Sequence, residues 1–463
     1  MTDRTMNAPL TIVEAAAAIR LGSLTPLELA AECLERIGRF EPETWAWISV
    51  DAEGALQTAE RLTHDQAMHK AYGPLYGIPV GIKDIVDVAG TPTRAGSSLT
   101  DATPAKEDAT VVARLRAAGA VILGKTVTTE FACFDPPPTR NPWNAACTPG
   151  GSSSGSAAAV ALGMCLGAIG SQTGGSITRP ASYCGVAGVK PTFGCASRAG
   201  VVPVAFHLDH VGPLARTAAD CAILLRAIAG PDARDPASSP RAKFDWTDNP
   251  VPTASSKPPR LGVIHSYFFE TAEAETAELA ESALRGLEGA GAKLVELPLP
   301  EHFENVHTMH RRIMTSEGAQ YHRLNYGAPR AGYGPKMAAF IDEGLAVTMD
   351  EYQEALGHQA AFRDAIDRTL ADVDALVIPS TPSPAPADLT TTGDPRFNSP
   401  WSHAGVPTVS IPCALTKAGL PVSLQLVGRA WSEARLLAVA AWCEAKLGFD
   451  ALPPILVGKA PSA

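Results

Sequence analysis

The sequence predicts an α/β layered fold. Helix-like and strand-like segments alternate along most of its 463 residues. Hydrophobic residues make up 46% and charged residues 19%, enough apolar material for a substantial core. Apolar runs bounded by glycine or proline read as buried strands, and helically spaced apolar residues read as amphipathic helices.

Taken in order, Thr11 and Glu14 form a capping box that opens a short alanine-rich helix. Thr25-Pro26 opens a second helix, with Leu27, Leu29, Ala30, Cys33 and Ile37 as its apolar stripe. Residues 45–50 read as a strand, 51–69 as a helix and 79–83 as a buried strand ending in lysine. Residues 108–118 read as a helix and 120–123 as a buried strand. A serine-rich loop leads into a helix over about 155–163, and short strands and helices follow to about residue 228. Residues 230–259, rich in proline, aspartate and serine, read as a surface connection. A strand at 261–264, a helix at 276–287 and a strand at 293–297 come next. Residues 301–369 are polar and mostly helical around a 327–335 loop, a lid or partner surface. A strand at 376–379, a proline-rich turn, a strand near 408–411, a hairpin through Gly419 and a helix at 433–447 close the chain. No repeat of solenoid period is present.

The formal charge is −10, and no basic run of the kind that holds nucleic acid or an anionic membrane is present. The nine cysteines are scattered, odd in number and never spaced Cys-x-x-Cys. With no apolar leader at the N-terminus, this usage favours free thiols in a reducing cytoplasm. No apolar run reaches membrane-spanning length; the small-residue stretch 157–169 is too short.

Two glycine pairs directly precede serines, Gly150-Gly151-Ser152 and Gly174-Gly175-Ser176. Without a Cβ, such turns let backbone N–H groups converge on an anion. Two serines offered this way suggest covalent hydrolysis, which needs a base. Lys83 interrupts the apolar run Leu75-Tyr-Gly-Ile-Pro-Val-Gly-Ile-Lys-Asp-Ile-Val86. Burial there lowers its pKa, and a neutral lysine amine serves as a general base. The bland alternative is a lysine that reaches the surface or pairs with Asp84.

Lys83, Gly-Gly-Ser-Ser at 150–153 and Gly-Gly-Ser at 174–176 resemble the amidase signature family. Asn141-Pro-Trp-Asn144, Gly188-Val-Lys-Pro-Thr192 and Gly419-Leu-Pro-Val-Ser-Leu-Gln-Leu-Val-Gly428 fit it too, so the likeness spans nearly the whole chain. The resemblance implies one domain over 1–463, with a large mixed sheet covered by helices on both faces. It implies an amidohydrolase that cleaves C–N bonds of primary amides, anilides or carbamates through a Ser-Ser-Lys triad. Ser176 would attack, Ser152, after a non-proline cis peptide, would pass the proton, and Lys83 would accept it. The N–H groups of Thr173, Gly174, Gly175 and Ser176 would hold the oxyanion. Ser153 and Gly151 would support the site, while Ser154 and Ser156 are expected to cap the next helix. The implied ligand is a small amide or carbamate, with no metal or cofactor, no nucleic acid, no membrane, and a homodimer left open.

Arg179 stands three residues after the nucleophile, as in malonamidase-like members, where an arginine grips a substrate carboxylate. Pairing with a local carboxylate is the equal alternative. Gln172 departs from the aspartate frequent at its position. Asp209 matches a structural family segment, which leaves His210 incidental. Cys133 and Phe134 either line the acyl pocket or simply pack a loop. A component of the amidotransferase A type, working inside a complex, belongs to the same family and remains a second reading.

Three other patterns carry less. Gly151-Ser-Ser-Ser-Gly155 satisfies Gly-x-Ser-x-Gly around Ser153, but Ala146-Cys-Thr-Pro-Gly150 before it is no strand. Gly119-Ala-Val-Ile-Leu-Gly-Lys-Thr126 matches a P-loop by letter, yet its middle is an apolar strand. His302, His307 and His310 lack a further ligand for a metal and read as a solvated helix face.

Overall fold

A computed structural model describes residues 8–68, 73–242, 257–327 and 332–458. Part of the 230–259 connection (243–256), part of the 327–335 loop (328–331), the first seven residues and His69 lie outside the described residues.

In chain order the strands are β1 (Trp47–Val50), β2 (Pro79–Lys83), β3 (Val121–Thr126), β4 (Gly167–Gln172), β5 (Ala187–Lys190), β6 (His210–Ala215), β7 (Arg260–Val263), β8 (Lys293–Glu296), β9 (Ala375–Pro379), β10 (Thr408–Leu415) and β11 (Pro421–Val427). They form one sheet in the order β1-β3-β2-β4-β6-β5-β10-β11-β9-β7-β8. Three strands, β3, β2 and β4, run parallel at one end, and β9, β7 and β8 do so at the other. The strands between them pair antiparallel, so the sheet is mixed. Every residue of β2, β3, β4, β6, β9 and β11 is buried, which requires helices over both faces.

Local chemistry sets the helix starts. Thr11 and Thr25 each close a capping box, with Glu14 and Glu28, and Pro26 holds the first turn of its helix. Asp51 caps Ala52–Ala67, and Thr348 with Glu351 caps Met349–Thr369. Gly419, at φ +76°, turns the β10–β11 hairpin. The P-loop-like stretch is the strand β3, and its Lys125 pairs with buried Asp84 at 2.8 Å.

The region 301–369 is built from Val306–Tyr326, Pro335–Ala346 and Met349–Thr369. It does not present His307 and His310 to solvent as a polar helix face, whereas His302, ahead of the first helix, is exposed. His310 is buried and His307 half-buried, because this face of Val306–Tyr326 turns inward onto a cavity.

Candidate active site

β2 and β4 are adjacent and parallel, with Ile82 opposite Ile169, so their C-terminal ends bring Lys83 beside Ser171. Lys83 is fully buried. Its Nζ donates to Ser152 Oγ at 2.6 Å and to Ser171 Oγ at 2.8 Å. Asp84 is not its partner; successive side chains leave a strand on opposite sides, and Asp84 meets Lys125 instead. Burial lowers the Lys83 pKa to about 7, against a smaller upward pull from Asp209.

Ser152 follows a cis peptide bond from Gly151. The loop is held from below by Ser153, whose Oγ donates to Ser171 O and accepts from Ser171 N, both at 3.2 Å. Ser153 N also donates to Ser176 O at 3.3 Å, which ties the two serine segments together. Gly151 sits so close to Thr392 that an added Cβ would stand 2.8 Å from its methyl carbon. Ser154 and Ser156 do not cap the helix Ser154–Ala161 that they begin. Its N-terminus is buried in the core, so the hydroxyls turn to neighbouring strands: Ser154 to Val127 O, and Ser156 to Thr126 Oγ1 and Ile169 O.

The Thr173–Ser176 loop leaves β4. Gln172, in place of aspartate, fixes it: Oε1 accepts from Ile177 N, Thr178 N and Thr178 Oγ1, while Nε2 donates to Ser402 Oγ. Ser402 Oγ in turn donates to Gly174 O at 2.8 Å. Asp209 accepts from Thr173 Oγ1 at 2.6 Å and from the N–H groups of Val204 and Ala205, a structural role. His210 is buried and meets Gln172 O through Nδ1 at 3.2 Å. At Gly175 an added Cβ would stand 2.6 Å from Asn398 Oδ1. Among the described residues, no protein group accepts from the N–H groups of Gly174, Gly175 and Ser176.

These N–H groups and Ser176 border a cavity of about 260 Å³ that Cys133, Phe134, Arg179, His307 and His310 also line. Phe134 is held there by Arg311, whose guanidinium lies 4.8 Å from its ring centre. Arg179 is buried and forms no ion pair; its Nη2 donates to Gly151 O at 2.8 Å and Thr392 Oγ1 at 3.1 Å. Among the described residues, its Nε and Nη1 have no hydrogen-bond partner. The expected pairing with a local carboxylate is therefore not what holds it. Among the described residues, no hydrogen bond joins Ser152 Oγ to Ser176 Oγ.

The sequence pattern of the Amidase family matches residues 28–437. The chain belongs to the amidase signature family. Among relatives of this amidase-signature protein, the A subunit of the glutamyl-tRNA(Gln) amidotransferase of Roseiflexus sp. (strain RS-1) is 36% identical over 94% of this chain and 96% of its own. A protein named as amidase AmiD in Mycobacterium tuberculosis (strain CDC 1551 / Oshkosh) is 38% identical over 93% of each chain. The native peptide amidase from Stenotrophomonas maltophilia superposes with a TM-score of 0.84 at 32% identity, covering 96% of this chain and 98% of that one. The mixed-sheet architecture expected from the resemblance is thus the family's own.

Ser171 and Ser402 are neighbours of the candidate site that sequence reading passed over. Ser171 had a local signal, since it precedes the Gln-Thr-Gly-Gly-Ser run by one residue. Ser402 had none, lying 230 residues from Gln172.

Among the described residues, no helix is long and apolar enough to cross a membrane. All nine cysteines are unpaired.

Proposed function

We propose that this protein is an amidohydrolase of small amides or carbamates that works through Ser176, Ser152 and Lys83. The observation that carries the reading is the 2.6 Å bond from buried Lys83, which forms no ion pair among the described residues, to Ser152. Neutral Lys83 takes a proton from Ser152 as Ser152 takes one from Ser176, and Ser176 Oγ bonds to the substrate carbonyl carbon. The last hydrogen bond of this relay forms when Ser176 turns towards Ser152 in the substrate complex, because catalytic contacts tighten on binding. The oxyanion accepts from the free N–H groups of Gly174, Gly175 and Ser176. Lys83 returns the proton through Ser152 to the leaving nitrogen, and the C–N bond breaks. Water then attacks the acyl-enzyme by the same route, releasing the acid and restoring Ser176. Cys133 and Phe134 contact the acyl group in this reading, in a cytoplasmic enzyme folded as one domain.

Two further readings have specific support. The unpartnered Nε and Nη1 of Arg179 favour a malonamidase-like preference for carboxylate-bearing amides. The strong likeness to an amidotransferase component favours a protein that works in a complex.

Purified chain alone is expected to release ammonia from a panel of small primary amides; release only after addition of partner proteins would favour the amidotransferase reading. On the same panel, Arg179→Ala is expected to lower kcat/KM for malonamate about tenfold more than for its apolar isostere isovaleramide. Equal losses on both would rule out carboxylate recognition and leave Arg179 as the brace of the Gly151 carbonyl.

A further inference from the structure

One wall of the pocket is the helix Val306–Tyr326, which contributes His307, His310, Arg311 and Met314 from one helix face. Two of the polar members are engaged. His307 shares hydrogen bonds with Tyr267 Oη at 2.7 Å and Ser399 Oγ at 3.1 Å. Arg311 donates to the Glu343 carboxylate at 2.8 and 2.6 Å.

His310 is not engaged. It is 4% exposed, and among the described residues neither Nδ1 nor Nε2 has a hydrogen-bond partner. The ring of His403 lies edge-on with centres 6.1 Å apart, beyond hydrogen bonding, and His403 Nε2 is taken by His358 Nδ1 at 3.0 Å. A Cβ built on Gly174 would stand 3.7 Å from His310 Nε2. That nitrogen therefore faces the loop that leads to Ser176.

Burial, reinforced by His307 and Arg311, lowers the His310 pKa to about 3, so its ring is neutral. A neutral imidazole offers one N–H and one lone pair. Leaving a buried polar group unpaired is costly, so a ligand that satisfies Nε2 gains over one that leaves it unpaired. Nε2 is the N–H in one tautomer and the lone pair in the other; a carboxylate suits only the first and an ammonium only the second. A group that both donates and accepts suits Nε2 in either tautomer.

We propose that His310 is a specificity-determining residue that reads a neutral donor–acceptor group of the substrate, a hydroxyl or a second carboxamide, beside the scissile amide. The scissile amide itself rests on the amidohydrolase reading; the recognition by His310 does not need turnover. It also separates His310 from Arg179, whose free N–H groups are donors only.

Three amides of nearly equal shape test the proposal: malonamide, 3-hydroxybutyramide and isovaleramide, which carry a second carboxamide, a hydroxyl and neither. Each is assayed for kcat/KM with the full chain, and for binding by calorimetry to Ser176→Ala. The wild type should prefer one or both polar amides over isovaleramide. His310→Leu should cut that preference about tenfold, with the loss in KM, and His310→Gln, which keeps a donor and an acceptor, should restore part of it. The arm that responds identifies the group as carboxamide or hydroxyl. A wild type with no such preference in turnover or binding overturns the proposal, as does a preference that His310→Leu leaves intact. If binding to Ser176→Ala shows the His310-dependent preference while the wild type cleaves none of the three, the recognition stands and the amidohydrolase reading falls.

Discussion

Lys83→Ala is expected to lower kcat at least about a thousandfold, roughly 4 kcal/mol of barrier, while the chain still folds. The loss is large because nothing nearby can replace the amine. Lys125, on the neighbouring strand, is bound to Asp84, and among the described residues Lys83 hydrogen-bonds to Ser152 and Ser171. Folding survives because the change removes a buried cation that has no carboxylate partner; the two hydroxyls left behind can share a water. The pH profile sharpens the test. A base must be deprotonated to act, so wild-type kcat/KM should rise through an apparent pKa near 7, the value that burial gives Lys83. Below that pH the amine is charged and idle. Stability follows the same group. The folded pKa is depressed, so between about 7 and 10.5 the unfolded chain binds the extra proton. The penalty of burying Lys83 is fully present below that window and fades as pH rises through it. The Tm of Lys83→Ala relative to wild type should therefore improve as pH falls across the window, in thermal scans. Wild-type turnover in the alanine variant would remove Lys83 from the mechanism.

How much of this was legible in the sequence depended on whether the cause was local. The strand carrying Lys83 was read at its true bounds, 79–83, because a proline start and an apolar run are local signals. The capping boxes at Thr11 and Thr25 were equally plain. β4 was hidden. Its sequence, Gly-Ala-Ile-Gly-Ser-Gln, is poor in the β-branched and aromatic residues that mark strands, and it is a strand because β2 and β6 pair with it on either side. The capping role given to Ser154 and Ser156 failed for a related reason. Burial of the helix start handed their hydroxyls to strands that a local pattern does not reveal. The face of His307 and His310 was read as solvated because it is polar, yet it turns inward, and polar groups line the cavity there. The Asp84 alternative for Lys83 could have been dismissed from sequence alone, since neighbours on a strand point apart. What no pattern could supply was the contact between Ser402 and the loop before Ser176, which only the folded sheet creates.

Ser176→Ala should be the more damaging of the two serine changes, with kcat down at least about 10⁴-fold, because it removes the atom that bonds to carbon. Ser152→Ala should lose less. Ser152 carries a proton between Ser176 and Lys83, and a water admitted into the space of its hydroxyl can carry part of that traffic. Binding should survive in both, since Arg179 and the pocket-lining Cys133 and Phe134 are untouched. The two roles also separate without steady-state kinetics. An aryl carbamate transfers its carbamoyl group to the nucleophile, expels the phenol and leaves a slowly hydrolysed adduct that intact mass measurement can see. The wild type should gain one carbamoyl group, and peptide mapping should place it on the segment that contains Ser176. Ser152→Ala should gain the same group more slowly, and Ser176→Ala should gain none. Because the Gly151-Ser152 and Gly175-Ser176 segments are joined through the Ser153 N–H and Ser176 carbonyl, a loop distorted by mutation would be expected to change both modification and binding. An adduct on Ser152, or one formed at the wild-type rate in Ser176→Ala, would reverse the assignment of nucleophile and relay.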